Sequence, residues 1–268
     1  MNFLGRSPSS RLVPGQMAMS SSVNRPWWKS DDRRRRMARA TSRREATVCN
    51  RYRLSAKQAQ VMRACGYEPP YPEDVTFPVP REIFPTGKKT ARHGLVVRRS
   101  AGGNRPLEPV ALEWGFPTKV ASKRDPAVKL DRYVTNARNL ASSMWKPLIA
   151  NPERRCLVPF THFAEPHPEG GKGDDGKPRQ VWFSLPDRPI GFFAGLWRPT
   201  ERGYAYAFCT TSPNAMVAPW HPKAMPAILH PADFATWLDG DHAAALALVR
   251  PYDGEMCEQI ATPDGGEA

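Results

Sequence analysis

The sequence predicts an α+β fold with a predominantly β core, and three observations carry that expectation. Four runs in the middle of the chain, R-C-L-V-P-F, Q-V-W-F-S-L, I-G-F-F-A-G-L-W and Y-A-Y-A-F-C-T-T, are rich in aromatic and β-branched residues and are separated by turn signals. Together they read as a curved antiparallel meander. Two earlier runs, H-G-L-V-V-R-R-S and L-E-P-V-A-L-E-W-G-F, flank an A-G-G-N-R turn and read as strand, turn, strand. Helical patterns are few and short, so helices are expected to flank a sheet rather than form the core.

Taken in order, residues 1–47 are rich in Ser, Pro and Arg, carry R-R-R-R at 33–36 and show neither helical nor strand period. They read as a disordered basic leader. The texture changes at Val48. V-C-N-R-Y-R-L predicts a short strand, and S-A-K-Q-A-Q-V-M-R-A-C-G predicts about three helical turns, opened by Ser55 as N-cap and closed at Gly66. The prolines of Y-E-P-P-Y-P-E-D-V-T-F-P-V-P-R forbid regular helix and favour an extended surface path. A helix is expected within N-L-A-S-S-M-W-K-P-L-I-A-N, with Pro147 at a kink or boundary. The meander follows, interrupted by the loop E-G-G-K-G-D-D-G-K-P-R, and P-A-D-F-A-T-W-L and H-A-A-A-L-A-L-V read as the final helices. No internal repeat or domain boundary is visible after residue 48.

Composition excludes several function classes. At 268 residues the chain has ample material for a buried core. Its excess of basic over acidic side chains gives a formal net charge of +13, but residues 1–47 hold 11 Lys+Arg and 3 Asp+Glu of the total. The remainder carries a net +5, compatible with a polyanionic partner without requiring one. Five scattered cysteines, with no C-x-x-C pair, argue against a disulfide framework or zinc knuckle and for a reducing cytoplasm. A metal site drawn from His162, His167 or His230 with Cys156 lacks ligand spacing of a known kind. Neither a secretion signal nor a run long enough to span a bilayer is present in the sequence.

Four polar spots each sit beside a strand-like run and a turn: Cys49, Asn136 with Arg138 in T-N-A-R, Glu165 in H-F-A-E-P, and His221 in P-W-H-P-K-A-M-P. A thiol, an imidazole, a carboxylate and an amide form an inventory for nucleophilic chemistry with acid/base support. Each also has a purely structural reading. Cys49 fits a small buried core residue, Asn136 a helix cap, Glu165 an exposed loop carboxylate and His221 a satisfied, half-buried imidazole.

The order of short strings narrows the choice. C-N-R-Y, E-W-G-F-P, N-A-R, R-R-C-L-V-P followed by F-A-E, A-G-L-W, F-C-T-T, and H-P-K-A-M-P-A-I-L with W-L after it run from Val48 to about Leu238. In these strings the chain resembles the SRAP family, the SOS response-associated peptidase or abasic-site processing proteins. The resemblance implies a single α+β domain, 48–268, around a barrel-like, mostly antiparallel sheet with a positively charged groove for single-stranded DNA. It makes Cys49 the nucleophile and Asn136, Glu165 and His221 its companions. The chain departs from the family's usual pattern at Asn50, where Gly is frequent, at Ala164 and Pro166, where aromatics are common, and in the longer His221 loop.

The family's reaction, carried over, is capture of the aldehyde of an abasic site by an N-terminal cysteine: the α-amine forms a Schiff base and the thiol closes a thiazolidine ring. No cofactor or metal is required. In this role Glu165 is the candidate acid/base, His221 a candidate proton donor, and Asn136 orients the cysteine or the sugar. Arg51, Arg53, Arg138 and Lys223 are candidates for holding phosphates, and Trp114 for stacking on a base or, equally, for a place in the core. An amide-bound Cys49 has no nucleophilic amine, so the expectation is that the functional chain begins at Cys49. Either Val48 is the true start or residues 1–48 are removed by proteolysis, autoproteolysis included. The alternatives are a thiol peptidase acting on itself or on peptides, and a non-catalytic single-strand binder. A monomer is the default expectation.

Overall fold

The computed structural model describes residues 51–75, 79–84, 92–101, 105–173, 176 and 178–260. Residues 47–268 form one compact unit. The expected leader, Cys49 and the A-G-G-N-R turn at 102–104 lie outside the described residues.

The strands, in chain order, are β1 (Arg51–Arg53), β2 (Glu82–Ile83), β3 (His93–Arg99), β4 (Leu107–Trp114), β5 (Phe116–Ala121), β6 (Lys129–Val134), β7 (Asn136–Ala137) and β8 (Arg155–Phe160). They continue with β9 (His162–Pro166), β10 (Gln180–Ser184), β11 (Gly191–Thr200), β12 (Gly203–Thr211), β13 (Met225–Pro226), β14 (Ile228–Leu229) and β15 (Cys257–Gln259). The helices are α1 (Gln58–Ala64), α2 (Lys146–Ala150), α3 (Phe234–Asp239) and α4 (His242–Ala247).

The meander closes on itself. Strand β12 pairs with β11 in antiparallel register and with β4 in parallel register, while β4–β3, β3–β8 and β8–β11 are antiparallel, so five strands complete a ring. A barrel this small is filled by its own side chains. Phe160 stacks on Phe193 at 4.0 Å, Trp114 stacks on Phe208 at 5.2 Å, and Phe193 meets Phe208 at 4.7 Å. These rings are all fully buried, which removes the largest apolar surfaces from water. The continuous apolar runs of β8, β11 and β12, buried on both faces, therefore fix the core.

A second sheet, in the order β15-β10-β9-β1-β2, lies alongside. Strand β1 connects the two layers: Tyr52 sends its ring against Trp114, Phe193 and Phe208, and its hydroxyl hydrogen-bonds that of Tyr206. Gly94 is required there, because an added Cβ would collide with both hydroxyl oxygens.

The helices are shorter than the sequence suggests. α1 begins at Gln58 with Lys57 as N-cap, not Ser55, whose backbone N–H instead donates to the Thr161 hydroxyl at 3.3 Å. Gly66 closes the turn with φ +74° as expected. Pro147 sits in the first turn of α2, where its missing N–H costs no hydrogen bond. α3 is clamped by Arg155, a fully buried guanidinium that donates to the carbonyls of Trp237 at 2.6 Å and Gly240 at 2.7 Å. Strands β5 and β6 form a separate two-stranded ribbon that the sequence reading did not anticipate. Among the described residues no helix is long and apolar enough to cross a membrane.

Candidate active site

Asn136 opens β7, which runs parallel to β12 with Asn136 opposite Phe208 and Ala137 opposite Cys209. Its amide donates to the Thr135 hydroxyl at 3.1 Å, and the Thr135 carbonyl accepts the indole N–H of Trp114 at 3.1 Å. The residue is thereby fixed from the barrel interior. Two positions on, Arg138 is exposed and its guanidinium donates to the backbone carbonyl of Lys223. That contact ties the N-A-R segment to the loop that carries His221.

His221 is only 5 % exposed, and its backbone N–H closes a turn on the Val217 carbonyl at 2.9 Å. Its Nδ1 lies 2.8 Å from the Ala224 carbonyl and 3.3 Å from the Ala224 N–H. The shorter contact makes Nδ1 the donor. Nε2 then carries the lone pair, and it has no hydrogen-bond partner among the described residues. Burial lowers the pKa of the imidazole below its ordinary 6.5, the Ala224 carbonyl opposes this, and the charges of Lys223 and Arg138 add to the lowering. His221 is therefore a neutral base at pH 7. It can donate a proton only after accepting one.

Glu165 occupies β9, fully buried, opposite Val181 of β10. A carboxyl group in such a place is held by the strands on both sides, since Ala164 pairs with Arg51 of β1 and with Trp182 of β10. The chain then carries His167 into contact with the His221 loop: its ring lies 5.5 Å from that of Trp220. Trp220 in turn donates its indole N–H to Glu258 of β15 at 2.5 Å. One indole thus links β9, the His221 loop and the C-terminal strand. Sequence reasoning missed this Trp220–His167–Glu258 cluster. Trp220 adjoins His221 and was open to notice, whereas nothing in C-E-Q marks Glu258 as a partner.

The proposed DNA contacts divide. Lys223 and Arg138 are exposed beside His221. Arg51 and Arg53 are half-buried on β1 and share one carboxylate, Glu82: Arg51 at 3.2 Å, Arg53 through two hydrogen bonds of 3.0 and 2.8 Å. Arg51 also lies over Phe84 and Arg53 over Trp182. Trp114 is a correction. It is 0 % exposed at the barrel centre, stacked on Phe208 and edge-on to Tyr52, and no base can reach it.

Three other thiols, Cys65, Cys156 and Cys209, are poor nucleophiles. Burial pushes the Cys65 thiol up to about 12 and raises those of Cys156 and Cys209 as well, while Cys257 is exposed on β15. Among the described residues no three His, Cys, Asp or Glu side chains converge as a metal site, and His162, His167 and His230 do not meet Cys156 in one.

A family model described as SOS response associated peptidase (SRAP) matches residues 48–262. No curated protein matches the chain. Among solved structures, a protein from Bordetella bronchiseptica superposes with a TM-score of 0.57 at 19% identity, covering 80% of this chain and 100% of that one. One from Bacteroides thetaiotaomicron gives 0.57 at 20% identity over 81% and 93% of the two chains. A phage-related protein of Bordetella bronchiseptica gives 0.56 at 17% over 80% and 95%. At these identities the likeness is one of fold.

Proposed function

The chain belongs to the SOS response associated peptidase (SRAP) family, and on that premise we propose that it captures the aldehyde of abasic sites in single-stranded DNA through the α-amine and thiol of Cys49. The observation that carries this reading is a neutral, buried His221, whose Nε2 has no partner among the described residues and whose loop meets the chain that follows Glu165 through the Trp220–His167 contact. Acid/base chemistry on a carbonyl needs a proton acceptor and a proton donor held out of bulk water.

The α-amine of Cys49 adds to the C1′ aldehyde, and His221 accepts the proton released from nitrogen and returns it to the alkoxide oxygen, giving a carbinolamine. Protonation of the carbinolamine hydroxyl by an acid, the role given to Glu165, expels water and leaves the protonated Schiff base. The Cys49 thiol then gives its proton to the Glu165 carboxylate and its sulfur adds to the iminium carbon, closing a five-membered ring with a neutral nitrogen. One water leaves in total and no redox change occurs. Asn136, held by Thr135, orients the sugar or the cysteine. Lys223 and Arg138 supply positive charge for the flanking phosphates.

The mechanism requires a free α-amine at Cys49, so the chain must start there or be cleaved before it. That single hydrolytic event is what the word peptidase in the family's description would then denote. The test is a denaturing gel. Protein beginning at Cys49 is expected to form an adduct with an abasic oligonucleotide that survives denaturation, and Cys49→Ala to form none. An adduct that persists in Cys49→Ala would sink the assignment.

A further inference from the structure

Strand β1 presents two arginines to one carboxylate. Side chains alternate along a strand, so Arg51 and Arg53 share a face, while Tyr52 between them turns its ring into the barrel. Edge strand β2 sets Glu82 opposite Arg53 and Ile83 opposite Tyr52. The two oxygens of Glu82 are then divided. Oε2 accepts from Arg53 Nε at 3.0 Å and from a terminal nitrogen of the same guanidinium at 2.8 Å, while Oε1 lies 3.2 Å from Arg51 Nε. On the other side of β1, His162 faces Arg53 in register. Burial lowers the pKa of His162 and the Arg53 charge adds to the lowering, so this imidazole is neutral at pH 7.

The two arginines are held differently. Arg53 binds Glu82 through two nitrogens and lies 4.9 Å from the Trp182 ring centre, which makes it the fixed partner. Arg51 meets the other oxygen through Nε, and its backbone stands opposite Ala164, the residue before Glu165. Its guanidinium is therefore carried by a strand that borders the candidate site. The three side chains keep between 15 and 22 % of their surface in water, so a dissolved anion can reach them and their ion pairs add little to stability. A carboxylate and a phosphate diester are alternative acceptors for a guanidinium. If Arg51 exchanges one for the other, Glu82 keeps both hydrogen bonds from Arg53 and is not left unpaired.

From this arrangement we infer that Glu82 is an internal competitor for the strand: it occupies Arg51 with the kind of contact that a DNA phosphate offers, and so weakens the grip on single-stranded DNA. The inference rests on the nucleic-acid reading of the preceding section but not on capture. It gives the chain a way to prefer damage. Phosphate contacts carry no information about the bases a strand holds or lacks, so restraining them lets an undamaged strand leave, whereas a covalent adduct stays. Glu82 acts through Arg51, as a positioning residue rather than a catalytic one.

The test measures fluorescence anisotropy on an undamaged single strand for the parent, Glu82→Gln, Arg51→Gln and the double variant. Glu82→Gln keeps an oxygen for Arg53 and removes the charge, so its urea midpoint should stay within about 0.5 M of the parent's. Freeing one cation should steepen the salt slope by about 0.7 and, over the decade from 1 M, tighten binding about fivefold at 0.1 M salt. A merely structural Glu82 would give the opposite sign, weaker binding with a lowered midpoint. In the Arg51→Gln background the gain should shrink to less than about twofold, because the competitor has lost its object. Glu153→Gln removes an exposed carboxylate from the turn before β8, controls for net charge and should leave affinity within about twofold. Unchanged or weaker binding in Glu82→Gln, an equal gain in Glu153→Gln, or an undiminished gain without Arg51 would each overturn the inference, while binding by the parent keeps the nucleic-acid reading. If neither the parent nor any variant binds the strand, that reading falls and the inference with it.

Discussion

Replacing Trp114 separates a core tryptophan from a base-stacking one. The indole is 0 % exposed, stacks on Phe208 at 5.2 Å, meets Tyr52 edge-on at 5.2 Å and donates its N–H to the Thr135 carbonyl at 3.1 Å. Trp114→Ala removes the whole ring from a closed barrel that has little freedom to collapse, so it should cost about 3 to 5 kcal/mol. Leaving the Thr135 carbonyl without its donor adds to the upper end of that range. Domains of this kind are stable by roughly 5 to 15 kcal/mol in total, and with a urea m-value near 2 kcal/mol/M the midpoint should fall by about 2 M. Trp114→Phe keeps most of the ring contact and loses the hydrogen bond, so about 1 to 2 kcal/mol is expected. Because Thr135 precedes Asn136, this milder variant should also slow adduct formation without changing affinity for an undamaged strand. Urea titration followed by circular dichroism reads the first effect and anisotropy the second. A Trp114→Ala protein with an unmoved midpoint and weakened DNA binding would refute the core assignment.

The neutral form of His221 is favoured by burial, so it is more acidic folded than unfolded. Its contribution to stability is fully present above 6.5 and is lost as pH falls below 6.5 toward the lowered folded value, with His162 acting in the same direction. His221→Gln should therefore shrink the difference between urea midpoints at pH 7.5 and 5.5, and an unchanged difference would count against the neutral assignment. Arg155→Gln leaves the Trp237 and Gly240 carbonyls without their charged donor; a loss of about 3 kcal/mol is expected, with faster amide exchange in α3. Glu258→Gln weakens the hydrogen bond that holds Trp220, so stability should change by less than about 1 kcal/mol while adduct formation slows. Equal adduct rates in parent and Glu258→Gln would show that β15 does not position the His221 loop.

Strands of the barrel were readable because their side chains are. In β8, β11 and β12 the buried runs are apolar and hold Val158, Phe160, Phe192, Phe193, Trp197, Tyr206 and Phe208, and burial on that scale leaves a pattern in one dimension. The closure was not readable, because the parallel pairing of β12 with β4 joins residues some ninety positions apart and is imposed by the ring rather than by any local signal. The family resemblance supplied the expectation of a barrel. Ribbon β5–β6 escaped notice for the opposite reason: from Lys119 to Arg132 both faces are in water and there is no apolar alternation, so K-V-A-S-K-R-D-P-A-V-K-L carries no strand signal. Ser55 was a reasonable cap by residue type, but the helix starts at Gln58, which puts Lys57 at the N-cap position and Ser55 two residues too early.

The same physics divides the site. Asn136, Glu165 and His221 were named from short strings, and the fold gives each a backbone reason to be where it is: a parallel bridge to β12, a two-sided strand and a turn closed on Val217. What the strings could not convey is protonation. The tautomer of His221 follows from one carbonyl, that of Ala224, which the longer H-P-K-A-M-P loop places 2.8 Å from Nδ1. Trp114 shows the limit from the other side. A tryptophan before a glycine has the same apolar surface whether it faces a base or a barrel, and only the strands on either side of it decide. Here β3 and β12 enclose it, and its N–H is directed at the peptide that precedes Asn136, so this core residue bears on the site through the backbone rather than through the substrate.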